Sequence, residues 1–346
     1  MEEIKRIGMD TSKHVFEVHG VNAAEEPVLR KRLRRQQMVT FFEGLPPTEI
    51  GIEACAGSHH WARVLGAMGH EVRLMPPQYV KRYVKRGKND AADAEAACEA
   101  MSRPTMRFVP AKSVEQQAGL MLMGVRDRLI ASRTQLANAI RGHAAEFGLT
   151  AAKGLAHVQP LLARIAADET LPALARELFA LQGEELARLE QEIATIDARH
   201  KEMHRADECS RQLAEIPGVG PVAATLFRLK TPAPELFDSG RDFSAWIGLT
   251  PKDHSTGGKT RLGVITKAGD ETLRAALVTG AMAIIQHVRS GRCKSASPWL
   301  KALVARKPPK LAAIALANKN ARIAWKLMAT GERYKSAEAT PLAQAA

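Results

Sequence analysis

The sequence of 346 residues contains no run of about 18 consecutive apolar residues, so no membrane-spanning helix is expected. Its N-terminus carries the charged residues Glu2, Glu3, Lys5 and Arg6 and lacks the apolar core of a signal peptide. The four cysteines form no CxxC pair and have no histidine at metal-ligand spacing, so neither a disulfide framework nor a zinc site is expected. These absences predict a cytoplasmic protein without a membrane partner.

Positive charge is in excess, with a formal net charge of +13. This favours a polyanionic partner, because basic side chains displace counterions from phosphates, although a positive surface can also simply aid solubility. The charge is clustered, which favours phosphate binding. The first block consists of Lys31, Arg32, Arg34 and Arg35, and the second of Lys81, Arg82, Lys85, Arg86 and Lys88. We predict that both blocks bind nucleic acid, with RNA favoured over DNA.

Residues 1–110 are predicted to form an α/β domain. Apolar runs that end at glycine or proline predict strands, and an Ala- and Glu-rich segment predicts a helix over 89–101. The predicted order is three strands, helix, strand, helix, strand, helix, which matches a ribonuclease H-like sheet. The strands are expected at 4–10, around 15–18, and at 27–34, 49–54 and 71–75.

The rest of the chain is predicted to be helical. Residues 111–210 contain two segments whose apolar residues step by three and four, from Leu122 to Ala139 and from Leu186 to Met203. They predict a coiled-coil-like arm within one chain or between chains, and an ordinary helical bundle is the alternative. Residues 211–335 predict a further, mostly helical domain, and 336–346 a flexible tail.

Four acidic residues form the first candidate site. Asp10 ends the first predicted strand, Glu53 ends a later one, and Asp90 and Asp93 lie at i and i+3 at the start of a helix. Each alone is most simply a cap or a solvated charge. Together they would repel one another unless cations lie among them, and Mg²⁺ prefers such oxygen ligands. Two such ions can stabilise the attacking and leaving oxygens of a phosphodiester displacement.

A polar segment over 248–259 forms the second candidate site. Here Ser255 and Thr256 precede two glycines, where backbone can approach a phosphate closely. A serine can attack phosphorus to form a covalent intermediate, and Lys259 and Arg261 can neutralise phosphate charge. The residue chemistry alone equally describes a polar turn between helices.

A glycine-rich turn at Gly218 and Gly220 is similar to a helix-hairpin-helix hairpin. Its backbone amides at a helix N-terminus can hold a phosphate without reading sequence. Such turns also connect helices with no further role.

These blocks together resemble one family, the DEDD-type transposases of insertion sequences that mobilise with a bridge or seeker RNA. The resemblance covers nearly the whole chain. The matching blocks are residues 8–13, 53–57, 88–95, 216–221, 248–259, 265–270, 273–274 and 321–325.

The resemblance implies a RuvC-like catalytic domain, a coiled-coil arm and a C-terminal transposase domain. It implies that Asp10, Glu53, Asp90 and Asp93 bind Mg²⁺ and that a serine forms a covalent link to DNA. Ser255 is the expected nucleophile; some family members have the serine where this chain has Thr256, so Thr256 is the alternative. An element-encoded guide RNA, donor and target DNA, and a homo-oligomer from dimer to tetramer are the implied partners. The active site would combine carboxylates of one protomer with the serine of another.

Two other functions remain open at this stage. A junction-resolvase-like nuclease would use only the four acids and water, without a protein–DNA adduct. A non-catalytic nucleic-acid-binding protein would not need Asp10 at all.

Overall fold

A computed structural model describes residues 3–84, 89–293 and 296–335. The chain divides into two compact units, Met1–Gln117 and Ala118–Ala346. Predicted site residues Lys85, Arg86 and Lys88 and the predicted tail at 336–346 lie outside the described residues. The division into three domains and a tail stays a prediction.

The first unit is built on a five-stranded mixed sheet. Its order is β3-β2-β1-β4-β5, in which β1, β2 and β3 are antiparallel and β1, β4 and β5 are parallel. The elements are β1 (Arg6–Asp10), β2 (Val15–Val21), β3 (Pro27–Arg34), α1 (Met38–Glu43), β4 (Glu49–Glu53), α2 (Ser58–Ala67), β5 (Glu71–Met75), α3 (Pro77–Val80) and α4 (Asp90–Met101). The predicted order of strands and helices is confirmed except for α3, a four-residue helix after β5 that was not predicted.

The two faces of this sheet are covered differently. On one face, Ile7, Phe16 and Ile52 join a buried core that also contains Trp61 of α2. On the other face, Gly8 of β1 lies so close to α4 that an added Cβ would stand 2.1 Å from the carbonyl oxygen of Ala94. A strand turns alternate side chains to opposite faces, so residues two apart from Gly8 also face α4.

The second unit begins with two long helices. α5 (Val114–Glu146) starts just before the boundary between the units, followed by α6 (Val158–Ala167) and α7 (Ala173–Ala206). Leu129 of α5 packs with Leu189 and Ile193 of α7, and the Arg126 side chain donates to Asp197 at 2.6 Å. The two helices thus contact each other within one chain. A coiled-coil arm remains a prediction.

The apolar stripe on α5 differs from the one predicted. Its fully buried residues include Met123, Ala137, Ile140 and Ala144, whereas Leu122 and Val125 are only half-buried. The stripe shifts along the helix because Ala137, Ile140 and Ala144 pack against α6 as well as α7. On α7 the predicted stripe from Leu186 to Met203 is buried at Leu186, Leu189, Ile193 and His200, and half-buried at Ile196 and Met203.

The remainder of the second unit is a helical cluster that carries one β-hairpin. Its elements are α8 (Glu208–Leu213), α9 (Pro221–Lys230), α10 (Gly240–Trp246), β6 (Pro251–Asp253), β7 (Leu262–Ile265), α11 (Glu271–Arg289), α12 (Pro298–Arg306) and α13 (Pro309–Thr330). One core, centred on Phe227, Phe243 and Leu277, joins these helices. None of the helices in the described part of the chain is both long and apolar enough to cross a bilayer.

Candidate active site and nucleic-acid interface

Asp10 and Glu53 end two neighbouring parallel strands. The register pairs Met9 of β1 with Ile52 of β4, and each acidic residue follows its strand's paired residue directly. Strand alternation turns Asp10 to the same face as Gly8, the face that α4 covers. The sequence brings the two carboxylates together because both strands are short, buried runs that stop at the same edge of the sheet.

The first turn of α4 adds the other two acids. The side chain of Asn89 caps the helix by accepting the backbone N–H of Ala91 at 3.1 Å, and Asp90 and Asp93 lie in the turn that follows. Because Ala94 lies directly over Gly8, this first turn is placed at the carboxyl end of β1.

The four acids share one electrostatic environment. Burial raises the pKa of Asp10 most, Asp90 and Asp93 raise it further, the Thr11 backbone N–H lowers it and Glu53 raises it, which brings it from 3.8 to about 6. Burial also raises the pKa of Glu53, and the charge of Asp93 adds to the effect. Carboxylates whose charges raise the pKa of Asp10 and Glu53 are close enough for a cation to relieve their repulsion.

The donor chemistry of the group fits a hard divalent cation, since it offers only carboxylate oxygens. Within residues 3–84, 89–293 and 296–335, no three His, Cys, Asp or Glu side chains are gathered closely enough to hold an ion as they stand. The carboxylates would therefore have to turn toward one another around the ion. All four lie at the end of a strand or in the first turn of a helix, and each retains some exposure to solvent.

An open groove of about 360 Å³ lies beside these carboxylates, between α4 and strands β2 and β3. Its walls carry both signs of charge: Arg32 lies 3.4 Å from Glu17, and Arg30 lies 4.0 Å from Glu95. Glu17 pairs with Asp10 across the antiparallel β1–β2 ladder. Sequence reasoning missed Glu17 and Arg30, because their place at the site depends on strand register.

The first basic block is divided between the two faces of edge strand β3. Arg32 and Arg34 lie on the α4 face, whereas the Lys31 ammonium lies 4.9 Å from the ring of Phe41 on the other side. The Arg35 guanidinium stands 5.3 Å from the ring of Trp61. In the second block, Lys81 and Arg82 are exposed on the turn after α3. The blocks thus present cations on more than one side of the sheet.

Ser255 and Thr256 lie on a β-hairpin rather than in a turn between helices. Gly257 and Gly258 adopt φ values of +56° and +76°, the primed turn geometry that suits two-residue hairpins. Thr256 pairs with Lys259 across this turn. Strands as short and exposed as β6 and β7 leave no apolar pattern in the sequence, so the hairpin was not predicted.

Hydrogen bonds fix the Ser255 side chain at the end of the hairpin. Its hydroxyl oxygen accepts the backbone N–H of Arg261 at 3.0 Å, and its own backbone N–H donates to the Asp253 carboxylate at 2.8 Å. The Ser255 hydroxyl also bonds to Asp253, and these bonds hold the pKa of that carboxyl below its usual range. Ser255, Thr256, Lys259 and Arg261 are all exposed.

The base of the hairpin is tightly held. The Arg274 guanidinium, itself buried, donates to the carbonyl oxygens of Ile247 at 2.9 Å and Gly269 at 3.0 Å. A Cβ on Gly269 would stand 1.8 Å from the Trp246 carbonyl oxygen, so only glycine fits there. Asp270 caps α11 and binds the Lys230 ammonium at 2.7 Å. These contacts give the block from 265 to 274 a structural purpose.

The glycine-rich turn connects α8 and α9, as predicted. Gly218 has a φ of +87° and packs against Gly280 of α11, and the Asn320 amide donates to the Pro217 carbonyl at 2.8 Å. Gly220 is exposed at the N-terminus of α9. The Gly220 backbone, at the N-terminus of α9, is therefore open to a phosphate.

Comparison with known proteins agrees with these features. Residues 7–147 match a DEDD-type transposase family, and residues 210–302 match the family described as Transposase IS116/IS110/IS902. The transposase for insertion sequence element IS1111A of Coxiella burnetii is 40% identical over 97% of this chain and 92% of its own length. The transposase for insertion sequence element IS1328 of Yersinia enterocolitica is 37% identical over 96% of this chain and 98% of its own. The y4pF/y4sB protein of Sinorhizobium fredii is 66% identical over 98% of this chain and 87% of its own.

The chain is therefore an insertion-sequence transposase. More particularly, it belongs to the IS116/IS110/IS902 family and has a DEDD-type transposase domain near its N-terminus. The family resemblance found in the sequence is confirmed at this level.

Proposed function

We propose that this transposase cuts and rejoins DNA through an Mg²⁺ centre held by Asp10, Glu53, Asp90 and Asp93 and through a covalent link to Ser255. The observation that carries the proposal is the convergence of the ends of β1 and β4 with the first turn of α4. At this place burial, followed by the charges of Asp90 and Asp93, raises the pKa of Asp10 to about 6. The sheet order supports a ribonuclease H-like, RuvC-like domain around this centre.

When bound, the metal would supply Lewis-acid stabilisation of the oxygens that gain charge during phosphodiester displacement. The four carboxylates would hold it at the sheet edge. Beside them, Arg30 and Arg32 in the groove would bind the phosphates of the substrate strand and fix its direction.

In the proposed covalent step the Ser255 oxygen attacks the phosphorus of a DNA phosphodiester. A serine–phosphorus ester bond forms as the bond to one deoxyribose oxygen breaks, and that oxygen takes a proton from water and leaves as a hydroxyl. Asp253, already bonded to the Ser255 hydroxyl, accepts the serine proton. Attack by a hydroxyl of another strand reverses the step and frees the serine, so the number of phosphate ester bonds is conserved. Lys259 and Arg261 neutralise the charge of the phosphate under attack.

We also propose that a guide RNA from the element directs the choice of DNA site and that the active enzyme is a homo-oligomer of up to four chains. The resemblance to RNA-guided family members, the exposed basic residues of β3, and the exposed Lys81 and Arg82 after α3 support this part. Base pairing by the RNA would supply the sequence choice, as in other RNA-guided systems.

The test is a strand-cleavage assay with purified protein, Mg²⁺ and element-end DNA, with and without RNA transcribed from the element flank. Denaturing gels would separate free DNA from a protein–DNA adduct. We expect an RNA-dependent adduct in the wild type that is lost in Asp10→Ala and in Ser255→Ala. Ser290→Ala, which changes an exposed serine at the end of α11, is the matched control and should form the adduct normally.

The alternatives predict different gels. Loss of the adduct in Thr256→Ala alone would move the nucleophile to Thr256. Cleavage without an adduct, unchanged in both hydroxyl variants, would favour the junction-resolvase-like nuclease. DNA binding without cleavage or adduct in the wild type, unchanged in Asp10→Ala, would favour a non-catalytic binding protein.

A further inference from the structure

The distribution of charge along the second unit is strongly uneven. From residue 272 to residue 331 the sequence contains no Asp or Glu but eleven Lys and Arg residues, while the net charge of the whole chain is +13. Helix α7 of the same chain shows what an ordinary solvated helix looks like here, with seven acidic and five basic residues interspersed. Solubility alone therefore does not explain why residues 272–331 contain no Asp or Glu.

The densest cations of this segment lie where α12 ends and α13 begins. Arg306 is the last residue of α12, and Lys307 follows it directly. Lys310 comes after Pro308 and Pro309, in the first turn of α13. We call these three cations the basic turn. All three are exposed, and among the described residues none has a carboxylate oxygen within 4.0 Å. Charges without an internal partner are available to an external one.

The backbone around the basic turn favours the same kind of partner. Two prolines stiffen the connection, so little conformational freedom is lost when the cations are held in place. α13 is 22 residues long and begins at Pro309, so its positive dipole end lies beside Lys310. Behind the turn, the Lys319 ammonium lies 4.0 Å from the ring of exposed Trp299, which adds a further cation between α12 and α13.

We propose that the basic turn is a binding site for the phosphate backbone of duplex DNA, separate from the carboxylate centre and from the serine hairpin. Cations on a stiff loop at a helix N-terminus suit a regular row of phosphates and make no provision for reading bases. We assign DNA rather than RNA because the chain is a transposase, and in this respect the inference rests on the proposed function. α13 lies beyond both segments that match known families, residues 7–147 and 210–302.

The test measures binding of a fluorescent duplex of scrambled sequence at several NaCl concentrations. The triple variant Arg306→Gln, Lys307→Gln, Lys310→Gln should bind at least about tenfold more weakly at 0.1 M salt, and its slope of log K against log salt should fall by about 2 to 3. The control is Arg199→Gln, Lys201→Gln, Arg205→Gln, which removes the same charge from exposed positions on α7. Equal melting temperatures in the two triple variants would exclude misfolding.

The control triple should keep wild-type affinity and slope. Equal losses in both triple variants would show a general charge effect and overturn the site. A loss confined to a hairpin RNA of the same length, or to vesicles with anionic lipid, with duplex binding unchanged, would also overturn it. Asp10→Ala separates this inference from the proposed function, since it should bind the duplex normally while forming no adduct. If neither the wild type nor any variant forms an adduct, the proposed function fails. If the triple variant of the basic turn still loses duplex binding in that case, the binding site stands.

Discussion

Asp10 and Glu53 stand side by side at the ends of two parallel strands, one residue beyond the paired Met9 and Ile52. This relationship places two partly buried carboxylates next to the first turn of α4. Burial first, and then the charges of Asp90 and Asp93, raise the pKa of Asp10 to about 6, and this rise has a measurable consequence for stability.

In metal-free protein, Asp10→Asn should raise the melting temperature at pH 7.5. A carboxyl whose pKa is higher in the folded state stabilises the fold at pH values below its unfolded pKa of 3.8. That contribution to stability is lost as the pH rises through about 6. After allowance for solvent exposure of the group, we expect about 1 kcal/mol, or about 2 °C. Differential scanning fluorimetry in EDTA would measure it. The difference should vanish at pH 4, and Mg²⁺ should stabilise the wild type more than the variant.

Gly8→Ala should displace the helix that carries Asp90 and Asp93. Its Cβ would stand 2.1 Å from the Ala94 carbonyl oxygen and 2.3 Å from the Cys98 amide nitrogen, and neither backbone atom can move alone. We expect a loss of about 3 kcal/mol in the free energy of unfolding, measured by urea denaturation. Gly66→Ala is the control: it lies in α2 with nothing within 4 Å and should stabilise the protein by about 0.5 to 1 kcal/mol. Equal effects at the two positions would contradict the close contact.

His59 should make stability depend on pH below neutrality. Its Nδ1 accepts the Lys112 backbone N–H at 3.2 Å, and burial together with the charges of Lys112 and Arg63 lowers the pKa of His59 to about 4. A histidine with a depressed pKa stabilises the fold above its unfolded value of 6.5, and that contribution is lost as pH falls toward 4. The melting temperature should therefore fall less between pH 7 and pH 5 in His59→Gln than in the wild type. An identical decline in both proteins would show that His59 is not the titrating group.

Arg274→Met should loosen the base of the serine hairpin. The variant removes the buried donor to the carbonyl oxygens of Ile247 and Gly269, which costs about 2 to 3 kcal/mol in unfolding free energy. Because Arg274 positions the hairpin without touching DNA, adduct formation should slow while duplex affinity stays unchanged. Arg274→Lys should restore part of the rate. Weaker DNA binding with an unchanged adduct rate would instead indicate a direct contact.

Much of the first unit could be predicted from sequence because its elements have local signals. Pro27–Arg34 and Glu71–Met75 are strands over the predicted residues, and Asn89 caps a helix that ends at Met101. The four acids were found because each lies at the end of a predicted strand or at the start of a predicted helix. The place of Glu17 and Arg30 in the groove depends instead on the register between strands, which no local pattern encodes.

The second unit was predicted less completely for a related reason. β6 and β7 are short and exposed, and their pairing depends on the backbone geometry at Gly257 and Gly258 rather than on apolar periodicity. The basic turn, in contrast, had a signal in the sequence. The absence of acidic residues from 272 to 331 shows only when charge is read over sixty residues rather than in short clusters.

The most direct test of the metal centre is a titration of Mn²⁺, which can replace Mg²⁺ at oxygen sites, followed by electron paramagnetic resonance. Wild-type protein should bind the ion, and Asp10→Asn and Glu53→Gln should each weaken binding at least about tenfold, since each removes one charged ligand. Glu43→Gln, an exposed position at the end of α1, should bind as the wild type does. Equal Mn²⁺ affinity in all four proteins would contradict the account, because the convergent carboxylates would then have no role in holding a metal.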